Sequence, residues 1–295
     1  LADRTPVGTL VGSDYQILDL THPEVQAYLT ELFTEFTQEW GFEWLKMDFA
    51  YYALFGDGFY EPMTREQAWS AGMRAIRQGI GEDTFFLGVG GLGLNYAHLD
   101  SMRLTLDSMP IWDHDPEYGE DEHMNQQGLK PTVRTAGRRW YLQDRLWINH
   151  NDLIFFRSND SDEDWPTVTH EEARAFATFI GLGGGIVKIG DRLVDLEPDG
   201  INVLRQLVPI HPAAARPLDV FEREYPELWW LPMSEPLDGH SESWHLLGLF
   251  DWGSNEDLTA NPFEYMPDDG APTDFSVPLS RLGLDGSWLA HEFWT

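Results

Sequence analysis

The sequence predicts an α/β catalytic domain of the (β/α)8 TIM-barrel type, lacking its first strands, followed by a C-terminal antiparallel β-sandwich module. Three observations carry this. Amphipathic helical segments alternate with short apolar segments up to about residue 222. Polar residues stand at or just beyond the carboxyl ends of successive apolar segments, where barrel enzymes place their chemistry: Lys46 with Asp48, Arg103 with Asp107, Asn149 with Asp152, and Asp191. From about Pro226 the helical period gives way to short aromatic segments separated by Pro, Gly and Asp. Alternation alone also suits a doubly wound sheet; the polar strand ends select the barrel. About six strand segments precede the C-terminal module where a barrel needs eight, so the first two are expected upstream of Leu1. The expected division is 1–222 for the catalytic domain and 223–295 for the C-terminal one.

The elements follow in order. "YQILDL" (15–20) is short, apolar and bounded by turn formers, as a buried strand would be. Thr21, Pro23 and Glu24 supply an N-cap, an early-helix proline and a capping-box acid. Val25, Tyr28, Leu29, Leu32, Phe33, Phe36 and Trp40 then recur on one helical face until Gly41. "FEWLKMDF" (42–49) is the next strand, completing a parallel β-α-β unit. After an aromatic, glycine-containing loop (49–62), Thr64 and Gln67 form a second capping box that opens a helix over 65–81. "TFFLGVGG" (84–91) and "SMRLTLD" (101–107) read as strands. Beyond a long acidic loop come the amphipathic segment 132–146 and "WINHNDLIFFRS" (147–158). Thr169 with Glu172 caps a helix through Leu182, "GGGIVKIGD" (183–191) is a glycine-led strand, and "DGINVLRQLVPI" (199–210) closes the series. "ELWWLP" (227–232), "SWHLLGLFDWG" (243–253), "DFSVPL" (274–279) and "SWLAHEFWT" (287–295) are the strand candidates of the β module.

Composition narrows the function. The 295-residue chain carries a formal net charge of −31, which argues against nucleic acid as partner. Excess carboxylate of this size is a lever for solubility in concentrated salt, so a halophilic or high-GC source is expected. Only three of the basic residues are lysines, Lys46, Lys130 and Lys188. There is no cysteine, hence no disulfide or thiolate chemistry. No apolar run is long enough to span a membrane and no signal peptide is visible, so a cytoplasmic location is expected. Gly88, Gly90, Gly91 and Gly93 satisfy a dinucleotide-binding glycine pattern, but the next strand starts too soon for the required helix. The acidic run 113–122 departs from a calcium loop in its glycine and its last ligand, and the histidines lack metal-site spacing. No metal or cofactor is therefore expected.

Two carboxylates stand out. Asp48 and Asp107 each follow an apolar strand, and each sits near a base, Lys46 or Arg103. Glycoside hydrolysis needs such a pair, one to attack the anomeric carbon or activate water and one to protonate the leaving oxygen. A nearby cation keeps the first ionised; the second must hold its proton through partial burial and repulsion. Spacing alone allows two strand-end salt bridges instead. Aromatic side chains favour a sugar, because apolar sugar faces stack on rings: Trp44, Phe49, Tyr51, Tyr52, Phe55, Phe59, Tyr60, Trp112, Trp140, Trp147 and Trp165 crowd the polar strand ends.

"GFEWLKMDF" (41–49) resembles the nucleophile strand of clan D glycoside hydrolases, in which a Lys-x-Asp ends the fourth barrel strand. "LDSMRLTLDSMPIW" (99–112) is similar to the clan's acid/base strand. "LDLTHPEV", "WINHNDLIFFR", "GGGIVKIGDRLVDLEPDGINVLRQLVP" and "LLGLFDWG" look like landmarks of the family 36-like α-galactosidases (melibiases), in the same order over nearly the whole chain. The resemblance implies a retaining α-glycosidase, foremost an α-galactosidase hydrolysing terminal α-galactosyl groups of an oligosaccharide. Asp48 would be the nucleophile and Asp107 the general acid/base. Lys46 would bind sugar hydroxyls and Arg103 the 2-hydroxyl region. Trp44, Tyr51 and Tyr52 would form the aromatic wall, and Asn149, Asp152 and Asp191 match further landmarks. The family usually shows Asn-Asp-x-Asp where this chain has Asn149, His150, Asn151 and Asp152, which leaves the role of His150 open. A raffinose-type galactosyltransferase, an enzyme for N-acetylgalactosamine or glucose, and a non-catalytic carbohydrate-binding protein are the alternatives. A homo-oligomer is a further expectation from the resemblance.

Overall fold

The structure, a computed structural model, describes residues 8–9, 16–56, 58–90, 97–112, 128–156, 168–233, 244–253 and 274–294. Its first strands, β1 (Gly8–Thr9) and β2 (Gln16–Ile17), pair antiparallel with each other. The segment expected as a barrel strand at 15–20 therefore lies outside the parallel sheet. Its polar end serves the loop instead: Asp19 accepts from the backbone N–H of Tyr60 at 2.7 Å and from the Thr21 hydroxyl at 2.7 Å. With Thr21 so occupied, the helix it was expected to cap is capped by His22, whose ring nitrogen accepts from the Glu24 N–H at 3.2 Å.

That helix, α1 (Pro23–Thr34), passes into a wider π-helical turn (Glu35–Glu39) before Gly41, whose φ of 75° turns the chain into the sheet. β3 (Trp44–Met47), β4 (Phe85–Gly88), β5 (Ser101–Arg103), β6 (Ile148–Ile154) and β7 (Ile186–Ile189) lie side by side in chain order, all parallel. These five strands make a half-barrel. Laid flat, β3 and β7 would be about 19 Å apart, four spacings of ~4.8 Å. Yet the Lys188 ammonium of β7 lies 5.9 Å from the centre of the Trp44 ring of β3, so the sheet curls around its inner face.

The outer face is apolar and covered by helices. α2 (Arg65–Ile80) opens with the expected Thr64 and Gln67 capping box, both reciprocal hydrogen bonds being formed. Its Trp69, Met73, Ile76 and Ile80 pack with Val25 and Leu29 of α1 on Phe86 and Met102 of the sheet. Arg77 fastens α2 to the strand ends by donating to the His98 and Thr84 carbonyls and to Asp100. α3 (Leu129–Gly137), α4 (His170–Gly183) and α5 (Pro198–Leu207) cover the other end, α4 beginning at the expected Thr169 and Glu172 box. No described helix is long and apolar enough to cross a membrane.

β8 (Arg216–Pro217), β9 (Leu228–Pro232) and β10 (His245–Leu249) form an antiparallel sheet in the order β10, β9, β8. Among the described residues this is a single sheet. It packs on α4, with the Phe179 ring edge-on to Trp229 at 5.5 Å and near Trp252 at 6.5 Å. The expected strands at 274–279 and 287–295 are not strands in the described residues: Leu279–Leu282 is a 3-10 turn, and 287–294 is irregular. Pro278 lacks the N–H a ladder needs. Gly283 and Gly286, with φ of 70° and 79°, turn the chain between the two segments.

Candidate active site

Residues in register on neighbouring strands share a face. Lys46 aligns with Leu87, Leu87 with Ser101 and Ser101 with Ile148; two residues further on, Arg103 aligns with His150 and His150 with Ile186. Trp44, Lys46, Arg103, His150 and Lys188 thus share the inner face, and Asp48 continues it just past β3. Met47, Met102 and Asn149 take the outer face, where Met102 is fully buried.

Asp48 is held from two sides. Its Oδ2 lies 3.8 Å from the Lys46 ammonium, and its Oδ1 accepts from the Phe49 N–H at 2.8 Å. Phe49 has the left-handed φ of 52°, which turns the chain into the 3-10 segment Ala50–Phe55. There the Tyr51 and Tyr52 rings meet at a tilt of 38°, their centres 4.4 Å apart. A hydrogen bond with Tyr52 pushes the Tyr51 hydroxyl up to about 12, helped by burial and by the charges of Tyr52 and Asp48. Gly90 makes this wall possible: its φ is 74°, and a Cβ there would stand 2.4 Å from the Tyr51 ring. Phe49, Phe55 and Tyr60 remain largely exposed, as loop aromatics with no core to fill, and Trp44 on β3 is 43 % exposed. Trp147 is instead a core residue, and Trp112 stacks on Trp252.

Asp107 stands on a braced loop. Arg103 reaches its Oδ1 at 2.5 Å and the Oδ2 of Asp152 at 3.7 Å. Asp152 is 5 % exposed and lies at a bulge of β6 with a φ of 63°. Its Oδ2 also accepts from the Ser108 N–H at 2.7 Å. The Leu104 N–H donates to the His150 carbonyl, and Arg139 donates to the Leu104 carbonyl. Six residues, from β5, β6 and the segments beside them, therefore fix where Asp107 stands. The Asp107 side chain is 67 % exposed, so the partial burial expected of a proton-holding acid is not present in this state.

His150 lies under this group with no exposed surface, and neither ring nitrogen has a partner among the described residues. Burial holds it neutral down to about pH 3, reinforced by Lys188, Lys46 and Arg103. Lys188 is pushed below the ordinary lysine range, by burial first and then by Lys46. Sequence reasoning missed Lys188. Its signals were the scarcity of lysine and its place in the alternation of β7.

Two expected site residues are not brought into this group. Asn149 is buried on the outer face, where its Oδ1 accepts from the Trp147 indole at 3.1 Å. Asp191 accepts from the Phe156 N–H at 2.5 Å and clamps the ends of β6 and β7. Trp165, the acidic run 113–122, and Gly91 and Gly93 lie outside the described residues. Among the described residues, no three or more His, Asp or Glu side chains could together hold a metal ion.

No family model matches the chain. Solved structures do. The α-galactosidase of Thermus thermophilus, in complex with stachyose, is similar over 71 % of this chain and 43 % of its own, at 22 % identity and a TM-score of 0.54. α-Galactosidase I of Mortierella vinacea is similar over 69 % of this chain and 52 % of its own, at 12 % identity and a TM-score of 0.50. The isomalto-dextranase of Arthrobacter globiformis T6, complexed with panose, is similar over 79 % of this chain and 42 % of its own, at 18 % identity and a TM-score of 0.50. The chain spans about half or less of the length of each. What they share with it is the fold.

Proposed function

We propose that this chain is the catalytic part of a retaining α-glycosidase that removes terminal α-galactosyl groups from oligosaccharides, with 1–222 as the catalytic unit and 223–295 as a C-terminal module. One observation carries the reading. Two carboxylates, Asp48 and Asp107, stand just beyond alternate strands of the half-barrel, each paired with a cation from the same inner face. In the first step the Asp48 carboxylate attacks the anomeric carbon. The glycosidic C–O bond breaks, and Asp107 gives its proton to the departing oxygen. In the second step Asp107 takes a proton from water, the hydroxide attacks the same carbon, and Asp48 is released. Lys46 pairs with Asp48 at 3.8 Å and donates to sugar hydroxyls. Arg103, Asp152 and Ser108 position the acid/base loop, and the rings at Trp44, Tyr51 and Tyr52 face the apolar side of the sugar.

The two α-galactosidases among the similar structures support galactose, and the isomalto-dextranase keeps α-glucosides within the substrates to be tried. The test is hydrolysis of p-nitrophenyl α-galactoside, α-glucoside and α-N-acetylgalactosaminide by the parent and by Asp48→Ala. The parent is expected to favour the galactoside and the variant to be inactive on all three. Equal rates for both proteins would remove Asp48 from the mechanism and leave a carbohydrate-binding role.

A further inference from the structure

The chain has three lysines in 295 residues and a net charge of −31, yet two of those lysines, Lys46 and Lys188, share the inner face of the half-barrel. Resting on the retaining reading above, we infer that Lys188, Lys46 and His150 form a receptor for a negatively charged substituent, carboxylate or sulfate, on the sugar that occupies the site.

The charges leave room for one. Arg103 is held by Asp107 and Asp152 at 2.5 and 3.7 Å, and Lys46 is within 3.8 Å of Asp48. Lys188 has no carboxylate within 4 Å among the described residues; its ammonium instead lies over the Trp44 ring at 5.9 Å. With Asp107 carrying the proton it must donate, the three cations outnumber the ionised carboxylates of the group by one. When Asp48 becomes esterified to the sugar, Asp107 has given its proton to the leaving group and is itself ionised, so the excess stays at one. A neutral glycoside does nothing to balance this; an anionic substituent does.

His150 is the second, independent observation. Its imidazole is fully buried with both nitrogens unpartnered, in register with Arg103 and Ile186 between the strands that carry the two lysines. Leaving a buried polar atom unsatisfied is costly, and such atoms are uncommon in folded proteins. A neutral imidazole keeps one N–H, and an anion seated between the two ammonium groups accepts it. A carboxylate at this position, as in the Asn-Asp-x-Asp pattern, would instead pair with the lysines and repel the same anion.

The experiment compares kcat/KM for p-nitrophenyl α-galactoside, its 6-sulfate and p-nitrophenyl α-galacturonide. The parent should favour one of the anionic substrates over the neutral one by about 10- to 100-fold, the worth of a charge-assisted hydrogen bond. Whether the carboxylate or the sulfate ester is favoured identifies the source of the charge. Lys188→Met should collapse that ratio toward one, Lys188→Arg should keep most of it, and His150→Asp should invert it. Calorimetric binding of free galacturonate, galactose 6-sulfate, galactose and inorganic sulfate to the parent tests the site without any variant. Tighter binding of either sugar acid than of galactose supports it. Binding of inorganic sulfate alone, with neither sugar acid above galactose, overturns it as an adventitious ion only. Preference for the neutral galactoside overturns this inference while the retaining reading stands; hydrolysis of none of the three substrates would count against the retaining reading itself.

Discussion

Asp152 joins β6 to the loop that carries Asp107, and its removal should be felt in stability and in turnover alike. Asp152→Ala deletes the acceptor for the Ser108 N–H at 2.7 Å and one partner of Arg103 at 3.7 Å, at a position only 5 % exposed. The lost charge-assisted hydrogen bond is worth about 1.5–3 kcal/mol. Alanine held at the left-handed φ of 63° adds about 1 kcal/mol. Arg103 keeps Asp107 at 2.5 Å, so its charge is not orphaned and the loss stays near the lower end of the ~3–5 kcal/mol of a broken buried pair. The expected total is about 2.5–4 kcal/mol. Asp152→Asn retains an oxygen acceptor and a side chain that tolerates this backbone, and should cost about 1–2 kcal/mol. Urea unfolding followed by tryptophan fluorescence reads both values, and kcat on an aryl glycoside should fall more than KM rises, because the loop bearing the acid is no longer braced. Parent-like midpoints for both variants would refute the bracing role.

Three further outcomes follow from the same geometry. Gly90→Ala drives a methyl group to 2.4 Å from the Tyr51 ring at a φ of 74°, and should cost about 1–3 kcal/mol while raising KM through displacement of the aromatic wall; an unchanged KM and melting temperature would contradict the close approach. His150, buried among cations, titrates at about 3 in the fold against an ordinary 6.5, so the unfolded chain binds a proton the fold refuses. Stability is then whole above about pH 6.5 and declines as pH falls toward 3, by up to about 1.4 kcal/mol per pH unit; His150→Gln should flatten that slope, and identical slopes in the two proteins would exclude it. Finally, a net charge of −31 should make the melting temperature rise between dilute and molar potassium chloride, and a protein no more stable in high salt would sink the halophilic expectation.

Local chemistry was the legible part of the sequence. The Thr64 and Thr169 capping boxes announce α2 and α4 because every atom involved lies within four residues. The inward face of β3 follows likewise from a two-residue alternation, which put Lys46 and Asp48 together. Misreadings came where a competing partner, near or far along the chain, decides. Thr21 gave up its capping role because Asp19 takes its hydroxyl, and the segment at 15–20 left the sheet to pair with Gly8–Thr9. Asn149 and Asp191 are polar and at strand ends, as site residues should be, yet Trp147 and Phe156 engage them. Lys188 was hidden for the opposite reason. Its neighbours in the group come from β3, β5 and β6, and only the curl of the sheet brings them near.

The double displacement proposed above makes Asp48 the nucleophile. Incubating the protein with a fluorinated α-galactosyl fluoride, which accumulates the glycosyl-enzyme, and mapping the adduct by peptide mass tests it most directly. One sugar per chain is expected, esterified to Asp48, with activity lost in step. A sugar attached at another residue would contradict it, as would inversion of configuration in the first-formed product.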